Sequence, residues 1–222
     1  MRPVVRDAFI PFTSKFEGVC YHMYLDVKCL VTTGIGNLID RPQDALRLPW
    51  VHQATNAPAT AQEIVQAWNT VKGATVMAPM GGGAFAALTD LRLTPDGLAD
   101  LVYNRLDNNN AFLCSRFHDF EQWPADAQLG TLSIAWAAGP GWKAPKFDAL
   151  AAVQDWAGIC GPEGAIGEFW LNDVGNPGLR PRNLANKVLF GNAAVGKDPG
   201  TLYYPEALNG AIVVVGDQNP YG

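Results

Sequence analysis

The chain has 222 residues, long enough for one large domain with a real core. At 48% hydrophobic and 17% charged residues it has the composition of a folded protein, which excludes a disordered chain. With 16 basic against 21 acidic residues the net charge is −5, so there is no basic excess of the kind general nucleic-acid binding needs. The longest apolar runs, "LSIAWAAG" and "AIVVVG", are core-sized and too short to span a membrane. The first residues, "MRPVVRDAFIPF", contain Asp7 and no uninterrupted apolar run, so no cleavable signal peptide is expected. If the protein acts outside the cytoplasm, something other than a cleaved leader is expected to carry it there.

In chain order, Val5, Phe9, Phe12 and Phe16 recur at helical spacing and predict a first helix over about 7–16, stopped by Gly18. Pro11 fits such a helix best near its first turn. "HMYLD" and "CLVTTGIG" read as two strands joined by a turn at "VKC". Residues 41–58, with Pro42, Pro49 and Pro58, read as loop. Thr60 and Glu63 form a capping box ahead of Ile64, Ala67, Trp68 and Val71, which predicts a helix. "APMGGGAFAAL" lacks the Gly-Lys-Ser/Thr ending of a phosphate loop and reads as flexible linkage. Pro95 opens a helix through Leu98, Leu101 and Val102, and a separate one is expected around 110–120. Pro124 opens a helix carrying Leu129, Leu132, Ala135 and Trp136, apolar nearly all round and so expected at the centre of the core. Helices over about 147–156 and 181–190 follow, the latter with Leu184, Val188 and Leu189 on one face. The stretch after Lys197, with "TLYYP" and "AIVVVG", is expected to be a strand or an extended tail laid on the core.

Cys20, Cys29, Cys114 and Cys160 form no CxxC pair, and His22, His52 and His118 form no HExxH or HxxxH pattern. No metal and no cofactor are expected, and the cysteines read as free thiols.

The stretch from Lys15 to Asp40 concentrates carboxylates and hydroxyls around a tight hairpin. Breaking a glycosidic bond takes an acid for the leaving oxygen and a second group across the sugar. Glu17, at a helix end and walled by Phe12 and Phe16, fits the acid, since an apolar wall raises a carboxyl pKa. Asp26 follows Tyr24 on the first strand, and Thr32 or Thr33 on the returning strand can face it and share a water. Gly34 and Gly36 let a bulky chain pass close to the backbone.

Glu17-Gly18, then Tyr24-x-Asp26, then Thr32-x-Gly34-x-Gly36 resembles the catalytic signature of the phage-type lysozymes, the muramidases of the endolysin family. Asp26 follows Glu17 by nine positions and Thr32 follows Asp26 by six, as in that family. Asn37 stands where the family usually has His. A second segment, "PGLRPRNLANKVLF", is similar to the family's C-terminal helix through Gly178, Leu179, Arg182, Leu189 and Phe190, with Asn183 and Asn186 replacing an Arg and a Glu. "LSIAWAAGPGWKAPKF" resembles its central helix and glycine turn.

The resemblance implies an α+β, lysozyme-like fold: a mainly helical body, a small N-terminal β-hairpin lobe and a catalytic cleft between. The resemblance touches residues from about 7 to 195, and the lysozyme-like domain is expected over residues 1–196, with 41–93 as an enlarged insertion and 197–222 as a tail packed on the domain. It implies hydrolysis of the β-1,4 bond between N-acetylmuramic acid and N-acetylglucosamine in peptidoglycan. Glu17 would be the general acid, Asp26 would position water or stabilise charge, and Thr32 would help hold that water. Substrate contacts are expected from Tyr24, Gly34, Gly36, Asn37, Trp142 and Arg182. Carboxyl groups about 6.5–9.5 Å apart would invert the anomeric carbon, and about 5–5.5 Å would retain it. The expected partners are glycan strands, with an immunity protein or delivery apparatus where the protein is an antibacterial effector. A phage lysin would instead pass through a membrane hole to reach the wall. Two other classes remain open: a lysozyme-like module that binds peptidoglycan without cutting it, and a thiol hydrolase using Cys20 or Cys29 with His22.

Overall fold

A computed structural model describes residues 1–161, 164–166 and 179–206. Its elements are α1 (Pro3–Glu17), β1 (Cys20–Leu25), β2 (Val31–Gly34), β3 (Asn37–Leu38), α2 (Pro42–Ala45), β4 (Trp50–His52), α3 (Ala61–Gly73), β5 (Leu91–Leu93), α4 (Pro95–Arg116), α5 (Ala125–Ala138), α6 (Pro145–Ala152), α7 (Trp156–Cys160) and α8 (Arg180–Ala194). The mixture of helices with two small antiparallel sheets is of the α+β class. The chain divides into two compact units, residues 13–105 and residues 1–12 with those from Leu106 onward. Among the described residues no helix is long and apolar enough to cross a membrane.

The unit of residues 13–105 is built on the sheet β1-β2-β3. Tyr24 pairs with Thr32 and Leu25 with Val31, and a register shift between Cys20 and Tyr24 bends the first strand. Alternation then sends Met23, Leu25 and Val31 to a buried face. Gly34 and Gly36 have φ of +66° and +72°, which is what lets the chain reverse into β3. The capping box of α3 forms in full: Thr60 N donates to Glu63 Oε2 at 2.7 Å and Glu63 N to Thr60 Oγ1 at 3.3 Å. Ile64, Ala67, Trp68 and Val71 make its buried face, and Trp68 Nε1 donates to Ile39 O. Lys72 ties the same helix to the hairpin through Asp40 Oδ1 (2.7 Å) and Cys29 O (2.9 Å).

Two expectations change in this unit, and a third in α1, whose residues divide between the two units. The 41–58 stretch carries α2 and β4, and β4 pairs antiparallel with β5. The Gly-rich stretch is not flexible linkage: residues 75–80 and 82–87 form two 3₁₀ turns with Phe85 fully buried. Its glycine serves close packing, since a Cβ on Gly82 would lie 2.8 Å from Cys20 Sγ and 3.3 Å from the Tyr24 ring. Finally, α1 begins earlier than expected and holds Pro11 in its interior, on an exposed position opposite buried Val5, Phe9 and Phe12. The packing of that apolar face outweighs the hydrogen bond Pro11 cannot donate.

In the other unit α5 is buried on every side from Ala125 to Trp136. It lies so close to α8 that a Cβ on Gly130 would meet the Phe190 ring at 3.1 Å. Phe117, Phe120, Trp123, Phe147, Trp156 and Phe190 form edge-to-face, tilted and stacked pairs around it. The two helices expected over 95–102 and 110–120 are one, α4, of 22 residues. Its Asn108-Asn109-Asn110 run does not break it, because buried Leu106, Asn109 and Leu113 hold one face to the core. The helix expected over 147–156 stops at Ala152, and α7 starts after Asp155, whose side chain accepts from Gly158 N. On α8 the buried side is Arg182, Asn183, Ala185, Asn186, Leu189 and Phe190, while Leu184 and Val188 are only half-buried.

Residues 197–206 run along this unit. Ala125 N donates to Pro199 O, and the Tyr204 ring packs edge-on to Phe12. Buried Asp126 accepts from Tyr203 N (2.8 Å), Tyr204 N (3.0 Å) and Asn192 Nδ2 (2.8 Å). The "AIVVVG" stretch, Gly178 and Pro177 lie outside the described residues.

Candidate active site

The residues of the first motif all fall in the unit of residues 13–105. Glu17 ends α1, and Gly18, at φ +69°, turns the chain into β1. The Glu17 carboxylate lies over the glycine turn of the hairpin: a Cβ on Gly36 would stand 3.5 Å from its Oε2. Arg105, from α4, donates to Gly36 O at 2.9 Å and fixes that turn from the other direction. Nothing in the spacing of α4 pointed to Arg105, a basic residue inside an otherwise ordinary helical pattern.

Asp26 closes the first turn of the hairpin. Its Oδ1 accepts from Lys28 N (2.8 Å) and Leu30 N (2.9 Å), and its own N–H donates to Leu30 O. Oδ2 makes no hydrogen bond among the described residues. The ladder resolves the choice between the threonines. Tyr24 sits opposite Thr32 and Asp26 opposite Leu30, so Tyr24, Asp26 and Thr32 share one face, Asp26 and Thr32 as diagonal neighbours. Thr33 points to the other face, where its hydroxyl meets the carbonyls of Cys20 and His22. Thr32 Oγ1 donates to Leu30 O at 3.1 Å, which leaves its lone pairs to accept.

Burial pushes the Tyr24 hydroxyl pKa well up, and the charges of Cys20, Glu17 and Asp26 push it further the same way, so the phenol stays protonated. The phenol stands on the same face as Thr32.

Other expectations are corrected. Glu17 is exposed and Phe16 only half-buried, so the apolar wall expected around the acid does not enclose it. Asn37 is buried, and its Oδ1 accepts from Ile35 N at 3.1 Å, so it holds the Gly34–Gly36 turn instead of facing a ligand. Gly34 is buried against Asn37 and Leu101, and only Gly36 is partly open. Trp142 is 8% exposed in the other unit, with the Arg116 guanidinium 4.3 Å from its ring centre and Phe147 at its edge. What remains open of it lines a groove of that unit, beside Arg116 and Asp148. Arg182 is 1% exposed there, donating to Ser133 O and Oγ, and reaches no solvent.

All four cysteines are free. Cys20 is a poor nucleophile, because burial raises its thiol pKa. His22 is held by Gly82 O at 2.8 Å and its pKa is lowered, first by burial. This speaks against a thiolate–imidazolium pair. Among the described residues no group of His, Cys, Asp and Glu is arranged to hold a metal. No family model, curated protein or solved structure matches the chain.

Proposed function

We propose that the protein is a peptidoglycan hydrolase with a lysozyme-like fold, a muramidase cutting between N-acetylmuramic acid and N-acetylglucosamine. The observation that carries this reading is the placement of the Glu17 carboxylate over the partly open Gly36 turn of the hairpin that also sets Asp26 and Thr32 on one face. Glu17 donates its proton to the leaving glycosidic oxygen. In the free protein its carboxylate is exposed, within reach of a bound glycan chain. Asp26 Oδ2 and the Thr32 hydroxyl act on the far side of the sugar, orienting a water or stabilising the developing positive charge. Gly36 admits the sugar because no side chain stands between the backbone and Glu17. Glycan strands are the partner. The chain acts on the cell wall either as a phage lysin released through a membrane hole or as a delivered antibacterial effector.

A non-catalytic binding module is favoured by one detail: Asp26 Oδ1 is committed to two turn N–H groups, a structural role sufficient to explain the residue. Dye release from labelled sacculi, paired with sacculus co-sedimentation, separates the two. The hydrolase reading expects release by the wild type and loss of roughly 10²-fold or more in Glu17→Gln with binding retained. Equal co-sedimentation with no release by either protein would sink it in favour of the module.

A further inference from the structure

The unit of residues 13–105 has a second feature that the proposed chemistry does not use. A groove of about 490 Å³ in the other unit and one of about 460 Å³ in this unit each contain an arginine, but the two arginines differ. In the first, Arg116 is neutralised by Asp148, which takes its Nη2 at both oxygens (2.6 and 2.8 Å). In the second, lined by Val19, Tyr21, His22, Gln53, Arg92 and others, Arg92 has no carboxylate on it. Its Nη1 donates to Thr89 O and Leu91 O at 2.8 Å and its Nη2 to Ala86 O, all neutral carbonyls. Three of its five N–H donors are therefore occupied, and Nε–H and one Nη2 hydrogen remain.

Asp90, the carboxylate whose charge Arg92 feels, is turned to His52 Nδ1 at 2.9 Å. Burial depresses the Arg92 pKa and that distant charge does not offset it, as for a cation without a countercharge. His22 adds no charge at neutral pH, since burial and Arg92 keep it uncharged. Around this cation stand Tyr21, 39% exposed, and Gln53, whose side-chain amide has no hydrogen bond among the described residues. A half-buried guanidinium fixed by three carbonyls is preorganised for a planar anion. Val19 lines the groove two residues after Glu17, which puts its Cα within about 7 Å of that of the proposed acid.

We propose that this groove is a carboxylate-binding subsite, with Arg92 gripping the anion, Gln53 hydrogen-bonding beside it and Tyr21 packing on its carrier. On the muramidase reading, on which the identity of the carrier rests, the carboxylate belongs to a lactyl group or a stem-peptide terminus. The enzyme then selects acidic, peptide-bearing glycan over neutral chitin-like chains. The anion site itself does not depend on that reading.

The test uses the full chain carrying Glu17→Gln, labelled with ¹⁵N, and three probes: N-acetylmuramic acid, its methyl ester, and N-acetyl-D-alanyl-D-alanine. The account expects at least one acid to shift the Arg92 Nε–H signal and the Tyr21 and Gln53 amides saturably, the ester binding about tenfold more weakly, ~1.4 kcal/mol. Which acid acts identifies the carrier. Tyr21→Ala, at an exposed position, should weaken binding of the acid with the spectrum otherwise unchanged. Equal shifts by acid and ester, or none at these three residues, would overturn the subsite. An acid-specific shift alongside a wild type that leaves sacculi intact would keep the subsite and overturn the muramidase. Cleavage without an acid-specific shift would do the reverse.

Discussion

Replacing Gly34 and Gly36 by alanine, one at a time, separates the shape of the hairpin from its chemistry. Both have positive φ, +66° and +72°, which costs an alanine about 1–2 kcal/mol at either position. At Gly34 the new Cβ would also lie 2.9 Å from Asn37 Oδ1, and moving that oxygen breaks its bond from Ile35 N. That adds about 1 kcal/mol for the hydrogen bond. At Gly36 the Cβ meets Glu17 Oε2 at 3.5 Å, an ordinary contact, so the backbone cost stands alone. Urea unfolding should therefore place Gly34→Ala about 1 kcal/mol below Gly36→Ala, with unchanged m. Gly36→Ala, the more stable of the two, should lose more wall-cleaving activity, because its methyl sits where sugar must approach the acid. Equal midpoints, or a Gly36→Ala protein of full activity, would refute the reasoning.

Asp126→Asn turns an acceptor of three hydrogen bonds into a group with a donor facing donors, and should cost about 2–3 kcal/mol by urea unfolding. Because burial raises the Asp126 pKa in the fold, the folded state holds its proton longer than the unfolded one. The wild type should lose stability as pH rises from the ordinary carboxylate range through the raised value, and the variant should lack that decline. Asp40 has the opposite sign: burial raises its pKa, but Lys72 and Val31 N outweigh this and leave it lowered. The advantage of wild type over Lys72→Met, at most about 1 kcal/mol for so exposed a pair, should persist above the unfolded pKa. It should vanish as pH falls through the folded one. In imidazole ¹⁵N spectra His52, beside Asp90 and Glu63, should titrate above the ordinary histidine range and His22 below it. Reversal of that order would contradict the packing around both rings.

Local signals were legible where a residue's own neighbours in sequence determine its environment. The Thr60–Glu63 box, the all-round apolar α5 and the hairpin around Asp26 formed as their residues dictate. Residues whose partners are distant in sequence were not legible. Arg182, expected to contact substrate, is buried together with Asn183, because α8 lies against α5 closely enough to need Gly130. Asp126 is a first-turn carboxylate by sequence, yet it anchors Tyr203 and Tyr204, more than seventy residues on. Gly82 looked like a hinge and is a contact point for Cys20 and Tyr24. Within the candidate site, the strand pattern left Thr32 and Thr33 both open, and only the register of the ladder placed Thr32 with Asp26. The approach of Glu17 to Gly36 and the grip of Arg105 on that turn needed the fold.

The central claim is that Glu17 protonates a glycosidic oxygen. Mass analysis of purified peptidoglycan digested by wild type and by Glu17→Gln tests it most directly. The account predicts new reducing muramic-acid ends with the wild type and none with the variant. Identical fragments from the two proteins, or cleavage confined to peptide bonds, would contradict it.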